Sequence, residues 1–297
     1  MNLRHKASAF LFTLLAGFLA AGFTAPQPQE DTKDKLDKSL LWKIEGPDIQ
    51  TSYLYGTIHM LSQEDFELGD IVEETFGMAE QLVLELDMDD PGMQMAMLQH
   101  ISMKDGQTLD KLLSEEDYKL LDERLKAAVG AGIQPFNSWM PYLVSTLLLQ
   151  EVLGESPASF EMTFITMAKN AEIEILGLET IEEQLNIFHA MPYEEQVDIL
   201  TSYLHDPSEM AGEFDGIIDL YKAQDIEGLR NLMNEETDTN LPADLLLDRR
   251  NENWVPNIIK YAADKTSFIA VGAGHLAGDK GVITLLREAG YTVTPIN

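Results

Sequence analysis

Residues 267–276 read Ser-Phe-Ile-Ala-Val-Gly-Ala-Gly-His-Leu, and this stretch decides the fold. Ser267 to Val271 is a short apolar run suited to a buried strand, and Gly272-Ala273-Gly274-His275 is a tight turn. Gly281 to Ala289 then has helical spacing and is closed by Gly290, after which Tyr291 to Ile296 returns to strand.

The opposite end of the chain has similar elements. Leu40 to Ile44, a turn at Glu45-Gly46-Pro47-Asp48, and Thr51 to His59 predict a β-hairpin. Leu68 to Ala79 is helical in spacing, with Ile71, Val72, Phe76 and Met78 near one face, and Gln81 to Asp87 is a short strand. The middle predicts helices over Ser114–Val129, Ser138–Leu153 and Phe160–Asn170, then a strand over Glu172–Leu178. Further helices follow at about 193–204, 208–234 and 243–263. Thr180-x-x-Glu183 is a capping box. The expected fold is therefore α/β: a central sheet built from the N- and C-terminal strand regions, with a large helical insert, in one domain over 40–297.

Residues 1–25 carry Arg4 and Lys6, an unbroken apolar run from Ala7 to Phe23 and a small-residue exit, the layout of a secretory signal peptide. The alternative is an uncleaved anchor. Phe23 stands where a lipoprotein would need cysteine, and polar residues 26–39 read as a flexible tether. The expectation is a periplasmic or secreted protein with no integral membrane segment after cleavage. There is no cysteine, which excludes disulfides and thiolate metal sites. The formal charge of −31 repels nucleic acid and anionic headgroups.

His59, Glu85, Glu179 and His275 each lie at or near the end of a strand, where open α/β sheets place ligands. Gly56-Thr57-Ile58-His59 and Gly272-Ala273-Gly274-His275 share one spacing, and imidazole is both a transition-metal ligand and a proton carrier. Alone, a histidine after a strand is commonly structural; two copies at the ends of a shared sheet predict a joint site. Glu85 lies in Leu82-Val83-Leu84-Glu85-Leu86-Asp87, and burial there demands a metal, a cation or a raised pKa, unless that face is solvated. Glu179 stands where a strand hands over to a helix, as helix-terminus charge, metal ligand or general base. Arg250, near the start of a late helix, suits a carboxylate or oxyanion, whereas Arg249 reads as a surface ion pair.

Other chemistries are weaker. Gly272-x-Gly274-x-x-Ala277 fits a relaxed dinucleotide fingerprint, but the acid needed about 20 residues on would fall where the chain stops. Met93, Met95, Met97 and Met103 surround His100, a copper-like set that equally describes core filler. No serine or cysteine nucleophile motif and no Walker loop is present.

In order along 40–297 stand Leu54-Tyr55-Gly56-Thr57-Ile58-His59, Val83-Leu84-Glu85-Leu86-Asp87 and Gly177-Leu178-Glu179-Thr180 with Gln184-Leu185. Arg250-Asn251 with Trp254, Val271-Gly272-Ala273-Gly274-His275-Leu276, and Gly278, Gly281 and Gly290-Tyr291 complete the set. Together they resemble the TraB/GumN family, which includes the animal Tiki proteins. Members often show Gly-hydrophobic-Asp before the third helix; here it is Ser159-Phe160-Glu161, and no role is assigned to the acid. The resemblance implies a core related to ChaN-like and erythromycin-esterase-like proteins and, through Tiki, a Mn²⁺- or Co²⁺-dependent peptidase.

The functional expectation is a divalent metal (Mn, Co or Zn) held by His59, His275 and one or both of Glu85 and Glu179, any remaining glutamate acting as general base. Glu85, Glu179 and Arg250 are the catalytic candidates; Thr57, Asn251 and Gly274 are the substrate-binding ones. The substrate would be a peptide or protein. The alternatives are a non-catalytic binder of haem, metal or peptide, and an interaction module without chemistry.

Overall fold

The computed structural model describes residues 36–153, 157–235 and 244–297. The signal segment and most of the tether lie outside them. Six strands form one sheet: β1 (Leu41–Glu45), β2 (Ser52–Thr57), β3 (Gln81–Leu86), β4 (Glu174–Glu179), β5 (Ser267–Gly272) and β6 (Thr292–Pro295). Their order is β4-β3-β5-β2-β1-β6. The first hairpin pairs antiparallel, and β6 adds antiparallel to β1. The remaining neighbours, β4 with β3, β3 with β5 and β5 with β2, are all parallel. The predicted hairpin and the shared sheet are therefore present, and the helical segment between β3 and β5 also supplies one edge strand.

Parallel strands bury both faces, which explains the apolar sequences. Every residue of β2 and β3 is buried, and all of β5 except Gly272. Aromatic rings cover the sheet: Phe164 lies 5.6 Å from Tyr55, 5.6 Å from Phe76 and 5.0 Å from Phe268, between ring centroids.

The insert follows its local signals closely where caps are strong. Ser114 caps Glu115–Val129 by accepting from Asp117 N, and Gly130 ends it at φ 74. Thr180 and Glu183 complete the capping box that opens Ile181–Phe188. Three expectations need correction. The 138–153 segment divides into Pro141–Leu148 and Gln150–Leu153. The 208–234 segment divides into Pro207–Lys222 and Ile226–Glu235. There Gln224 turns to φ 53 and Asp225 Oδ1 accepts from Gly228 N at 2.9 Å, so a local side-chain acceptor replaces continued helix. The last long helix runs Arg249–Asp264 behind a wider π turn, Asp244–Asp248.

Among the described residues no helix is long and apolar enough to cross a membrane. Met93 and Met97 are buried in the core, Met95 is 61% exposed, and His100 Nε2 faces Glu182 at 4.0 Å. These methionines act as core filler with one solvent-facing exception.

Candidate functional site

Strand order assembles the site. Reading across β4, β3, β5 and β2, the carboxyl ends present Glu179, Glu85, His275 and His59 from adjacent parallel strands or the turns that follow them. Register aligns them: Thr57 pairs with Gly272, and Leu86 with Glu179. Gly56 is required here, because a Cβ would lie 2.7 Å from Leu276 Cδ1 and 3.1 Å from Ala273 Cα. The first motif therefore packs directly against the turn of the second.

Around Gly272 the side chains converge. A Cβ at that position would stand 3.4 Å from Glu85 Oε1 and 3.5 Å from both His59 Nε2 and His275 Cδ2. His275 Nε2 is 3.9 Å from Glu85 Oε1, and Gly272 N donates to that same oxygen at 2.8 Å.

Arg250 ties the cluster together. Its Nη2 donates to Glu85 Oε2 at 2.5 Å and to Glu179 Oε1 at 2.6 Å; its Nε reaches both Glu179 oxygens at 3.0 and 3.1 Å. Its Nη1 donates to Leu246 O at 3.0 Å and to His275 Nε2 at 3.1 Å. Gln184 Nε2 donates to Glu179 at 2.8 Å and Glu85 at 3.2 Å, and Trp254 Nε1 to Glu179 at 3.1 Å. Burial pushes Glu85 up, but Arg250 above all pulls it down to about 2. Glu179 ends above the ordinary carboxylate value, because burial outweighs its share of the same guanidinium. Two buried carboxylates on one cation are thereby driven apart.

The two histidines differ. A guanidinium has no acceptor, so His275 Nε2 must accept from Arg250, and Nδ1 must donate to Asn251 Oδ1 at 2.6 Å. Burial, then the Arg250 charge, holds His275 well below the ordinary imidazole value. His59 is raised instead: burial lowers it, but Glu161, 2.9 Å from Nδ1, outweighs burial.

The remaining predicted residues hold these in place. Thr57 Oγ1 donates to Glu161 Oε1 at 2.6 Å and is 1% exposed. Asn251, wholly buried, also donates to His275 O at 3.3 Å and Lys280 O at 2.8 Å. A Cβ on Gly274 would strike Met233 Sδ at 2.2 Å, so that glycine admits the Ile226–Glu235 helix. All three are thus engaged by protein groups. Arg249 pairs with Asp244 on the surface, as its sequence context predicts. Sequence reading left Glu161 without a role. Its faint signal was the acid at the second position of a helix capped by Ser159.

The chemistry of two imidazoles and one carboxylate around Gly272 fits a divalent transition metal. Glu179 does not join them, since Arg250, Gln184 and Trp254 take its oxygens. With Arg250 on His275 and Glu85, no group of three His, Asp or Glu among the described residues forms a ready chelate. Beside Glu179 opens a cavity of about 510 Å³, bordered by Asp87, Thr180, Glu183, Asn253 and Tyr261. Asp87 is raised to about 6 by burial and by Asp89.

Comparison with known proteins adds a family. Metalloprotease TIKI1 of Danio rerio is 23% identical across 92% of this chain and 65% of its own length. Metalloprotease TIKI2 of Xenopus tropicalis is 23% identical across 90% and 61%. An uncharacterized protein of Treponema pallidum is 22% identical across 84% and 80%. The chain thus spans less than two thirds of the length of these two TIKI proteins. No solved structure matches. The TraB/PrgY/gumN family model matches residues 40–295, and the chain belongs to that family.

Proposed function

We propose that this chain is an exported, metal-dependent hydrolase acting on a peptide or protein, with its centre at the Gly272 cluster. The observation that carries the reading is the delivery of two histidines and a glutamate, from three adjacent parallel strands, to one point beside a glycine that leaves it open. Relatives named as metalloproteases support the reaction class.

His59, Glu85 and His275 are the residues that would hold a Mn²⁺, Co²⁺ or Zn²⁺ ion, with Arg250 giving up its hydrogen bond to His275 Nε2. The chemistry such an ion supplies is activation of water at neutral pH and polarisation of a carbonyl. The chain's own groups do the rest. Glu179, held above the usual carboxylate range, is placed to take and return a proton. Arg250 balances the charges of Glu85 and Glu179 and holds both carboxylates in place. The cavity beside Glu179 receives a substrate group, and its acidic border favours a cationic one.

The test is cleavage of a peptide library by the mature protein with Mn²⁺ or Co²⁺, beside folded His59→Ala and Glu179→Gln variants. The reading expects ion-stimulated cleavage that both variants lose. Cleavage unchanged in His59→Ala would refute it. Saturation of Glu85, Glu179 and His275 by Arg250 favours the second reading, a binder of haem, metal or peptide without turnover. That reading expects a haem absorbance change on titration, reduced by His59→Ala, with no cleavage.

A further inference from the structure

We infer that Glu161 is the positioning residue of His59, fixing the imidazole with its proton on Nδ1 and its free Nε2 toward Glu85 and Gly272. The functional meaning rests on the proposed metal-holding cluster, but the geometry and its test do not.

Glu161 reaches His59 from a distant segment through a backbone clasp. Leu61 N donates to Ala158 O at 3.0 Å, and Ala158 N to Leu61 O at 2.8 Å. This two-bond bridge joins the stretch just past His59 to the start of the Phe160–Ala171 helix. Ser159 caps that helix by accepting from Met162 N, and the same hydroxyl donates to Glu161 Oε2 at 2.9 Å. Thr57 Oγ1 donates to the other oxygen, Oε1, at 2.6 Å. Both oxygens are thus anchored before His59 is considered.

His59 Nδ1 then lies 2.9 Å from Glu161 Oε1. An ionised carboxylate only accepts, so this contact requires the hydrogen on Nδ1. In the neutral ring that leaves Nε2 as a bare lone pair, the atom 3.5 Å from the Cβ position of Gly272. A carboxylate behind an imidazole is a physically sound way to orient a ligand nitrogen and raise its basicity. Thr57, two residues before His59, holds the residue that holds His59, giving the first Gly-x-x-His motif an internal use for its second position.

The test reads the tautomer directly. ¹⁵N-imidazole NMR on the metal-free protein, at alkaline pH where imidazoles are neutral, distinguishes Nδ1–H from Nε2–H. The His59 signals are those missing from His59→Ala. Wild type is expected to show Nδ1–H. Glu161→Ala is expected to shift to a mixture rich in Nε2–H, while Glu161→Gln, whose amide oxygen still accepts, restores Nδ1–H. A wild-type tautomer in folded Glu161→Ala overturns the inference. Should that variant fail to fold, Thr57→Val/Ser159→Ala keeps the carboxylate but frees it. Partial movement in the same direction supports the assignment, and none overturns it. Mn²⁺ affinity should fall roughly 10- to 100-fold in Glu161→Ala. A wild-type protein that binds no metal would remove the metal reading while leaving the tautomer result intact.

Discussion

His59 and His275 occupy the same four-residue pattern at the ends of neighbouring strands, and the protein treats them in opposite ways. His275 is 4% exposed, its ring tilted against Trp254 at 4.4 Å, and fixed by Asn251 on one nitrogen and Arg250 on the other. His59 keeps 23% of its side chain exposed and is backed by a carboxylate. One ring is kept neutral by a cation and a neutral amide, and the other is biased toward charge by an acid. A shared motif therefore specifies backbone delivery to a common point. The residues behind each ring decide what it does there.

The sharpest way to break this contrast is to remove the cation. Arg250→Met leaves Glu85 and Glu179 buried without a counter-ion, and unfolding at neutral pH should show a loss of about 3–5 kcal/mol. The loss should shrink in acid, as the stranded carboxylates take up protons. Asn251→Leu comes next, at roughly 1–3 kcal/mol in chemical denaturation, because His275 Nδ1–H and the carbonyls of His275 and Lys280 lose their partner.

The third prediction concerns sign, measured without metal. His59 has a raised pKa, so its stabilisation is complete below the unfolded value of 6.5 and is lost as pH rises through the folded value. His275 has a lowered one, so its contribution is present above 6.5 and is lost as pH falls and the unfolded chain takes up the proton. Wild type should exceed His59→Ala by more at about pH 5.5 than at about pH 8.5, and His275→Ala should show the reverse. Parallel pH profiles would erase the distinction. The smallest effect belongs to Arg249→Ala, within about 0.5 kcal/mol by thermal unfolding, since its partner Asp244 is half exposed. Adjacent arginines would then differ by several kcal/mol.

Strands and capped helices were legible because their signals are local. Apolar runs ending at glycine marked β5 and β2, the apolar run Leu82–Leu86 marked β3, and Ser114 and Thr180 marked their helices. The breaks at Leu149 and Gln224 were not, because neither carries a glycine or proline; Gln224 takes a left-handed turn that only its surroundings enforce. In the site, Glu85, Glu179 and the two histidines could be nominated from strand-end position, and Arg250 from its place near a helix start. Which carboxylate pairs with Arg250, and that Asn251, Thr57 and Glu161 stand behind the rings, depends on contacts between segments far apart in the chain. Glu161 meets His59 through a bridge between Leu61 and Ala158, and no spacing along the sequence encodes it.

The central claim is that histidines from the two ends of the chain form one site. Calorimetric titration of the purified mature protein with Mn²⁺ and Co²⁺, wild type beside His59→Ala and His275→Ala, tests it most directly. The account predicts one ion per chain in wild type and loss of binding in each single variant. Binding that survives either substitution at wild-type affinity, or no specific binding in wild type, would contradict it.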